Sequence, residues 1–163
     1  MSFHEGDPVM HWTYGLGKVI RLEERALSGT NSLYYAVQVG ELTVWVPADG
    51  MLEIRLRHPT PKKQFKDLHA ILSGPSEPLP EDRQERKLRL LELLKDGRAE
   101  SLCRVIRDLS AYRLIRPLND NDTAIMKRCQ AALLSEWGFA FSVTPQQAEL
   151  ELHRLLTPGV AGD

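Results

Sequence analysis

The chain has little of what would mark a membrane protein or a disulfide-stapled secreted domain. Its 163 residues include two cysteines, Cys103 and Cys129, which lack the C-x-x-C spacing of a redox or zinc site. No apolar run approaches the ~20 residues needed to span a bilayer. The N-terminal Met-Ser-Phe-His-Glu also lacks the charged and apolar regions of a signal peptide. These absences predict a soluble, cytoplasmic protein with two buried thiols.

Catalytic and ligand-binding patterns are equally scarce. A helical metal site needs a second ligand four residues from a histidine. None of the five histidines has such a partner, and they are His4, His11, His58, His69 and His153. The run Gly15-Leu16-Gly17-Lys18 lacks the spacing and the Ser/Thr of a phosphate-binding loop, and it lies between two predicted strands. A hairpin reversal that needs a glycine with positive φ explains it instead. We therefore predict neither catalysis nor a cofactor or metal.

Charge is balanced along the chain, so contact with nucleic acid would require a local patch. The formal net charge is -1, with 8 Lys/Arg against 9 Asp/Glu in residues 1–78 and 13 against 13 in residues 79–163. One segment, 98–116, is locally basic, because only Glu100 and Asp108 oppose its arginines, which are Arg98, Arg104, Arg107, Arg113 and Arg116.

The hydrophobic pattern changes once, from strand alternation to helical spacing. Short runs separated by turn residues predict strands near 8–12, 17–25, 33–39, 42–46 and 52–57, which suit a small SH3- or Tudor-like barrel. Three prolines interrupt residues 75–80. The sequence thus predicts a segregated α+β chain, with a β-barrel domain in 1–60, a short helix and proline-rich linker in 61–80, and an all-α bundle in 81–163.

Caps and periodicity predict the helices of the second part. Leu88, Leu91 and Leu94 are expected on the inner face of a helix over 81–95. Residues 99–112 carry a second apolar stripe, and residues 119–122 are rich in capping residues. Thr144-Pro145-Gln146-Gln147 has a cap, a first-turn proline and a capping-box glutamine, which open a last helix.

Strand parity identifies outward side chains in the first part. In residues 42–46, Leu42, Val44 and Val46 form the better core face, so Trp45 should point outward. In residues 20–25, Ile20 and Leu22 form the inner pair, which leaves Arg21, Glu23 and Arg25 outside. Leu27 would also point outward if the strand continues that far. An outward tryptophan beside an arginine and a leucine has the composition of an interface hot spot. Alternatively, a following helix or the C-terminal domain covers Trp45.

Residues 3–58 carry a family resemblance. The turn Gly6-Asp7, the glycine-rich reversal at 15–17, the turn at 28–31 and the strands Leu33–Val39 and Leu42–Pro47 resemble the polymerase-interacting module of the CarD/CdnL family of bacterial transcription regulators. The same module type occurs in the transcription-repair coupling factor. The resemblance implies a barrel that binds the RNA polymerase β subunit by adding strand to strand, followed by a helical DNA-binding domain.

The resemblance also implies candidate site residues. Arg25, Leu27 and Trp45 match the polymerase-binding positions, although the family member that aligns best has an arginine in place of Trp45. A family tryptophan inserts at the upstream edge of the promoter bubble, and the equivalent position here is Arg83. An arginine can instead enter the minor groove or bind phosphate. The predicted DNA-binding set is Arg83, Arg86, Lys87 and Lys127, the last of which matches a family lysine.

Three hypotheses follow from the sequence. The first is a transcription regulator that binds the polymerase β subunit and promoter DNA upstream of the bubble and stabilises the open complex, without sequence-specific readout. The second is a protein-binding adaptor on RNA polymerase that does not bind DNA. The third is a methyl-lysine or peptide reader. In such a protein the aromatic side chains of Trp12, Tyr14, Tyr34 or Trp45 would have to line one open cage.

Overall fold

The chain folds as two compact units, each with its own hydrophobic core. A computed structural model describes residues 2–27 and 29–157. The N-terminal unit is Met1–Pro59 and the helical unit is Thr60–Asp163. Ser28, the first residue of the predicted turn at 28–31, lies outside the described residues, as do residues 158–163 of the predicted 81–163 domain.

In the N-terminal unit, the described residues form one antiparallel sheet of five strands in the order β4-β3-β2-β1-β5. The strands are β1 Pro8–His11, β2 Gly15–Arg25, β3 Ser32–Val39, β4 Leu42–Pro47 and β5 Leu56–Arg57, with a short helix α1 at Leu52–Arg55. The predicted succession of strands and then helices is confirmed. The predicted closed barrel is not confirmed, because the sheet is open and β4 and β5 form its two edges.

One face of this sheet carries the core of the unit. Alternate residues of the central strands point into it, as the period of a strand requires. Burying these aliphatic and aromatic side chains supplies most of the stabilisation of so small a unit. The core comprises Phe3, Val9, Val19, Tyr35, Val37, Val46, Leu52 and Leu56.

Two glycines in the first hairpin have different physical roles. Gly15 has a φ of 82°, which confirms the prediction that the reversal needs a glycine with positive φ. Gly17 is needed for close strand packing instead. A Cβ at Gly17 would lie 2.7 Å from Cγ2 of Val39 and 2.8 Å from the carbonyl oxygen of Gln38. No other side chain fits at position 17 unless β3 is displaced.

The predicted fifth strand at 52–57 is mostly wrong. Residues Leu52–Arg55 form the helical turn α1, and only Leu56–Arg57 pair in the sheet, against β1. Asp49 promotes the turn, because its carboxylate accepts a hydrogen bond from the Met51 amide at 2.9 Å and its carbonyl accepts one from Leu52 at 3.1 Å. The alternation of Leu52, Ile54 and Leu56 suggested a strand. Only Leu52 and Leu56, one helical turn apart, are buried.

The described residues of the helical unit form five helices around one core. They are α2 Phe65–Ser73, preceded by a 3-10 turn at Lys62–Gln64, then α3 Arg83–Leu94, α4 Ala99–Arg113, α5 Asp120–Phe141 and α6 Pro145–Leu156. The segment predicted as a short helix and linker, 61–80, contributes four residues to this core, namely Phe65, Leu68, Leu72 and Leu79. Within the described residues, no helix is long and apolar enough to cross a bilayer.

Helix α3 confirms only part of its predicted buried face, because Leu94 packs against the core whereas Leu88 and Leu91 do not. Leu88 and Leu91 are exposed, whereas Leu90 is fully buried and Arg86 is buried beside it. The prediction was wrong because a buried arginine is invisible to hydrophobic periodicity. An ion pair described below holds Arg86 inward and therefore turns the two leucines outward.

The predicted caps of the last two helices are confirmed. The Asn119 side chain accepts from the Asp122 amide while Asp122 accepts from the Asn119 amide, which is a capping box that opens α5. Thr144 and Gln147 form the same arrangement at α6, with Pro145 in the first turn.

Candidate functional site

Strand β4 presents a free edge with unpaired backbone groups. The Ala48 amide donates to the Leu33 carbonyl at 3.0 Å, next to the Tyr34–Pro47 pair that ends the ladder. Because bonding residues alternate along an antiparallel strand, Val44 and Val46 bond to β3. The amides and carbonyls of Thr43 and Trp45 therefore point away from the sheet. No other strand among the described residues pairs with β4, so this edge is a template for an added strand.

The face of the sheet opposite the core, here called the outer face, carries a connected cluster around Trp45. Trp45 reaches across Ala36 of β3, and its indole N–H donates to the carboxylate of Glu23 in β2 at 2.5 Å. The Arg25 guanidinium lies 4.5 Å from the centroid of the Trp45 ring, a distance typical of a cation–π contact. The prediction that Trp45 points to the outer face is confirmed.

Glu23 is the centre of this cluster, and the sequence did not identify it as a candidate site residue. Its carboxylate lies 3.1 Å from Nε of Arg21 and 3.8 Å from Nη1 of Arg25. The hydrogen bond from Trp45 is the main reason that the pKa of Glu23 is lowered, and the contacts from Arg21 add to it. The i, i+2 spacing of Arg21, Glu23 and Arg25 on one strand face is the signal that could have revealed it.

The remaining parity predictions hold in part. Leu22 pairs with Tyr35 and so lies on the core side of the sheet, but it is half-exposed because β2 extends beyond the core. Leu27 does not continue the strand, which ends at Arg25, and its side chain is exposed. Arg25 and Trp45 thus lie together on the outer face, whereas Leu27 lies past the end of β2.

The aromatic side chains of the third hypothesis do not form one cage. Trp12 and Tyr14 have their ring contacts with His11. The guanidinium of Arg25 already lies over the ring of Trp45, and Tyr34 is buried. Because a reader cage needs several ring faces open to one cation, this arrangement does not support a methyl-lysine reader.

His11 holds the loop that joins β1 to β2. Its Nδ1 accepts hydrogen bonds from the amides of Thr13 at 3.1 Å and Tyr14 at 3.2 Å, so this nitrogen must be unprotonated. Burial of the ring lowers the pKa of His11 from its usual value. The neutral imidazole is thus part of the folded loop, which displays Trp12 and Tyr14 to solvent.

The stability of the N-terminal unit should therefore fall as pH decreases below the unfolded-state pKa of His11, about 6.5. The unfolded chain binds a proton there before the folded chain does, so a single group changes the free energy of unfolding by up to about 1.4 kcal/mol per pH unit. Urea denaturation between pH 7.5 and 5.5 measures this slope. His11→Gln should make it shallower, and an unchanged slope in that variant would contradict the role of His11.

The predicted DNA-binding residues separate into exposed and buried ones. Arg83 and Lys87 are exposed one turn apart at the start of α3, and Lys127 is exposed on α5. Arg86 is only 3% exposed, and its guanidinium pairs bidentately with Asp122 at 2.9 and 2.8 Å. It also donates to the Tyr112 hydroxyl at 3.1 Å. The prediction for Arg86 is corrected, because a guanidinium engaged in this way has no free face for phosphate.

The basic segment 98–116 is partly neutralised by its own contacts. Arg98 pairs with Glu100. Arg107 pairs with Asp108, whose carboxylate also accepts from the Glu77 amide. The exposed cations of the segment without such a pair among the described contacts are Arg104 and Arg113. The patch is therefore smaller than its composition suggests.

The described residues contain no group of three or more histidine, cysteine, aspartate or glutamate side chains that could hold a metal ion. Both cysteines are buried and unbridged, and burial raises the pKa of Cys129 to about 11. Such a thiol remains protonated at neutral pH and is a poor nucleophile. The surfaces that remain as candidates are the β4 edge with its outer face, and the exposed cations of the helical unit.

Comparison with known proteins agrees with this geometry. The family model described as the CarD-like/TRCF RID domain matches residues 3–57, which is nearly the whole N-terminal unit. A protein of Bacillus subtilis (strain 168) named "Putative transcription factor YdeB" is 24% identical over 148 residues, covering 89% of this chain and 96% of that protein. The N-terminal unit thus carries a CarD-like/TRCF RID domain, which confirms the resemblance found in the sequence of residues 3–58.

Proposed function

We propose that this protein regulates transcription by binding the RNA polymerase β subunit through its β4 edge and promoter DNA through its helical unit. The observation that carries the proposal is the pair of outward amides and carbonyls at Thr43 and Trp45, beside a half-buried cation–π cluster on the outer face. Strand addition draws affinity from such backbone groups and specificity from the neighbouring side chains. Membership of the RID domain family and the similarity to a transcription factor both support this function.

The charges of the outer face favour an acidic polymerase segment. Lys18, Arg21 and Arg25 are on this face, and Glu23 is the acid among them. Because opposite charges speed association and exclude wrong partners, an added strand with a carboxylate near Arg21 or Arg25 fits best. Trp45, half-buried and held by Glu23, supplies a rigid apolar contact at the centre.

The proposed effect on transcription follows from binding the two promoter states unequally. A protein that binds the open complex more tightly than the closed one shifts the equilibrium toward initiation, whereas equal affinity for both states shifts nothing. Contact with polymerase and DNA in one molecule raises the effective concentration of the second contact. Modest DNA contacts from Arg83, Lys87 and Lys127 are then sufficient.

Charge reversal at Arg25 tests the polymerase contact. Arg25→Glu removes the cation that stacks on Trp45 and places a second carboxylate beside Glu23. We therefore expect capture of an isolated lobe of the polymerase β subunit, here called the β-lobe fragment, to weaken at least about tenfold, which corresponds to about 1.4 kcal/mol. Binding is measured by titrating the purified full chain against the β-lobe fragment immobilised on a surface. Arg89→Glu, an exposed charge reversal on α3, is the matched control. Equal capture by the two variants would contradict the proposed docking face.

A second function, an adaptor that binds polymerase without binding DNA, has one observation in its favour. Arg86 is withdrawn into the core, which removes one of the four predicted DNA-binding cations. Salt-sensitive binding of the full chain to promoter DNA would favour the first function, because releasing counterions from phosphates gives affinity a steep salt dependence.

A further inference from the structure

Strand β4 lacks the features that usually protect the edge of a sheet. Its sequence from Leu42 to Val46 contains no charged residue, and its proline, Pro47, is the last residue of the strand. The register against β3 runs without a bulge from Leu42 to Pro47. Natural edge strands carry charges, prolines or bulges, because a regular apolar edge pairs readily with another free strand. In a solution of this chain alone, the matching free strand is β4 of a second copy.

The backbone groups of β4 are arranged so that two copies can satisfy each other. Thr43 and Trp45 direct their amides and carbonyls away from β3, because Val44 and Val46 bond to it. An antiparallel pairing about a two-fold axis at Val44 places Thr43 opposite Trp45 of the second copy, and Trp45 opposite its Thr43. Both are hydrogen-bonded pairs, so the outward amides and carbonyls of these residues are all satisfied.

Side chains on the outer face favour this register over its neighbours. It opposes the large Trp45 to the small Thr43, and each indole already leans toward Glu23 on β2, away from the axis. A shift by two residues in one direction would oppose the two indoles and would use Pro47, which has no amide to donate. The opposite shift would place Trp45 opposite Glu41, which lies in the turn before β4.

The core side of the edge gains apolar contacts in the same register. Leu42 is 53% exposed, and Val44 is half-buried at the margin of the core. The pairing places Leu42 opposite Val46 of the second copy and the two Val44 side chains opposite each other at the axis. Such cross-strand pairs stabilise sheets. Arg21 and Arg25 belong to β2, two strands from the edge, so the like charges of the two sheets stay apart.

We propose that two copies of this chain pair β4 against β4 about this two-fold axis and thereby hide the polymerase-binding edge until polymerase is present. The contact is small compared with the interfaces of stable dimers, so it is weak and exchanges readily. A docking strand of polymerase uses the same amides and carbonyls and therefore separates the copies by competition. The inference rests on the proposed function for this competition alone, since the self-pairing depends only on the edge.

Cysteine trapping tests the register. At the axis the two Val44 residues form a non-hydrogen-bonded pair with Cα atoms about 4.5 Å apart, which is within the range that a disulfide spans. Oxidised glutathione should therefore convert the full-length Val44→Cys chain into a disulfide-linked dimer on a non-reducing gel. Thr43→Cys is the matched control and should stay monomeric, because the two residues at position 43 are diagonal neighbours about 7 to 8 Å apart. A dimer of Thr43→Cys without one of Val44→Cys would overturn the proposal.

Sedimentation velocity detects the pairing without a cross-link. The weight-average sedimentation coefficient of the wild-type chain should rise over a concentration series, whereas Thr43→Pro, which deletes an outward amide, should remain a monomer throughout. A wild-type chain that stays monomeric, together with no disulfide in Val44→Cys, would refute the self-pairing. In that case, capture by the β-lobe fragment that depends on the Thr43 amide would leave the proposed function standing.

The cross-linked Val44→Cys dimer tests whether self-pairing blocks polymerase. Its capture by the β-lobe fragment should be at least about tenfold weaker than that of the reduced variant, and dithiothreitol should restore it. The reduced variant is its own control, since the two samples differ only in the disulfide. Equal capture of the cross-linked and reduced chains would overturn the competition and would assign polymerase to a surface other than the β4 edge.

Discussion

Replacing Asp122 by alanine is expected to lower the free energy of unfolding of the helical unit by about 3 to 5 kcal/mol, because it leaves the Arg86 charge buried without its partner. The ion pair is deep, with side chains 4% and 1% exposed. The substitution also removes one half of the capping box at Asn119, which costs a further ~1 kcal/mol. Urea denaturation followed by circular dichroism at 222 nm measures the change.

Asp120 is a matched control for this prediction, because it is an exposed acid in the same first turn of α5. Asp120→Ala should cost no more than about 1 kcal/mol, since it loses only the interaction with the helix dipole. Replacing both charges by leucine, in Arg86→Leu/Asp122→Leu, should be less harmful than Asp122→Ala alone, because no isolated charge is left buried. Similar stability of Asp122→Ala and Asp120→Ala would show that the pair is not important for folding.

Replacing Thr43 by proline should reduce capture of the polymerase β-lobe by at least about tenfold, because it deletes an outward amide of the β4 edge and obstructs an incoming strand. The fold should survive, since that amide does not bond to β3 and proline is tolerated on an outward edge position. Titration against the β-lobe fragment measures the loss. Thermal unfolding verifies that the sheet remains intact.

Thr43→Val separates the backbone from the side chain in this experiment. Valine keeps the amide but loses the hydroxyl, which lies 3.0 Å from the side-chain oxygen of Gln38. The valine variant should therefore bind the β-lobe like the wild-type chain. If proline and valine variants bind equally well, the β4 edge is not the docking strand, whatever contacts the outer face makes.

Local rules were sufficient where neighbours in sequence decide the structure. The alternation in residues 42–46 predicted that Trp45 leaves the core, because the period of a strand depends only on the backbone. The capping boxes at Asn119 and Thr144 were readable since their donors and acceptors are three residues apart. The positive φ of Gly15 follows from the tight reversal in which it lies.

Predictions failed where a polar partner, distant in sequence or local, changed the balance. Leu88 and Leu91 point outward because Arg86 turns inward to reach Asp122, a residue 36 positions away. The turn at Leu52–Arg55 replaces a predicted strand because Asp49 binds the next backbone amides. Glu23 gains its importance from Trp45, which is 22 positions away. Amphipathic periodicity carries no information about such polar partners.

The sequence by itself determined the CarD-like/TRCF RID domain at the N-terminus, the succession of strands and helices, and the outward direction of Trp45, since these depend on local patterns and on motifs within residues 3–58. Only the tertiary structure decided that the sheet stays open at β4, that Glu23 joins Trp45 to two arginines, and that Arg86 is a buried support. The physical reason is that a free edge and a buried ion pair are properties of long-range pairing, which exists only once the chain has folded.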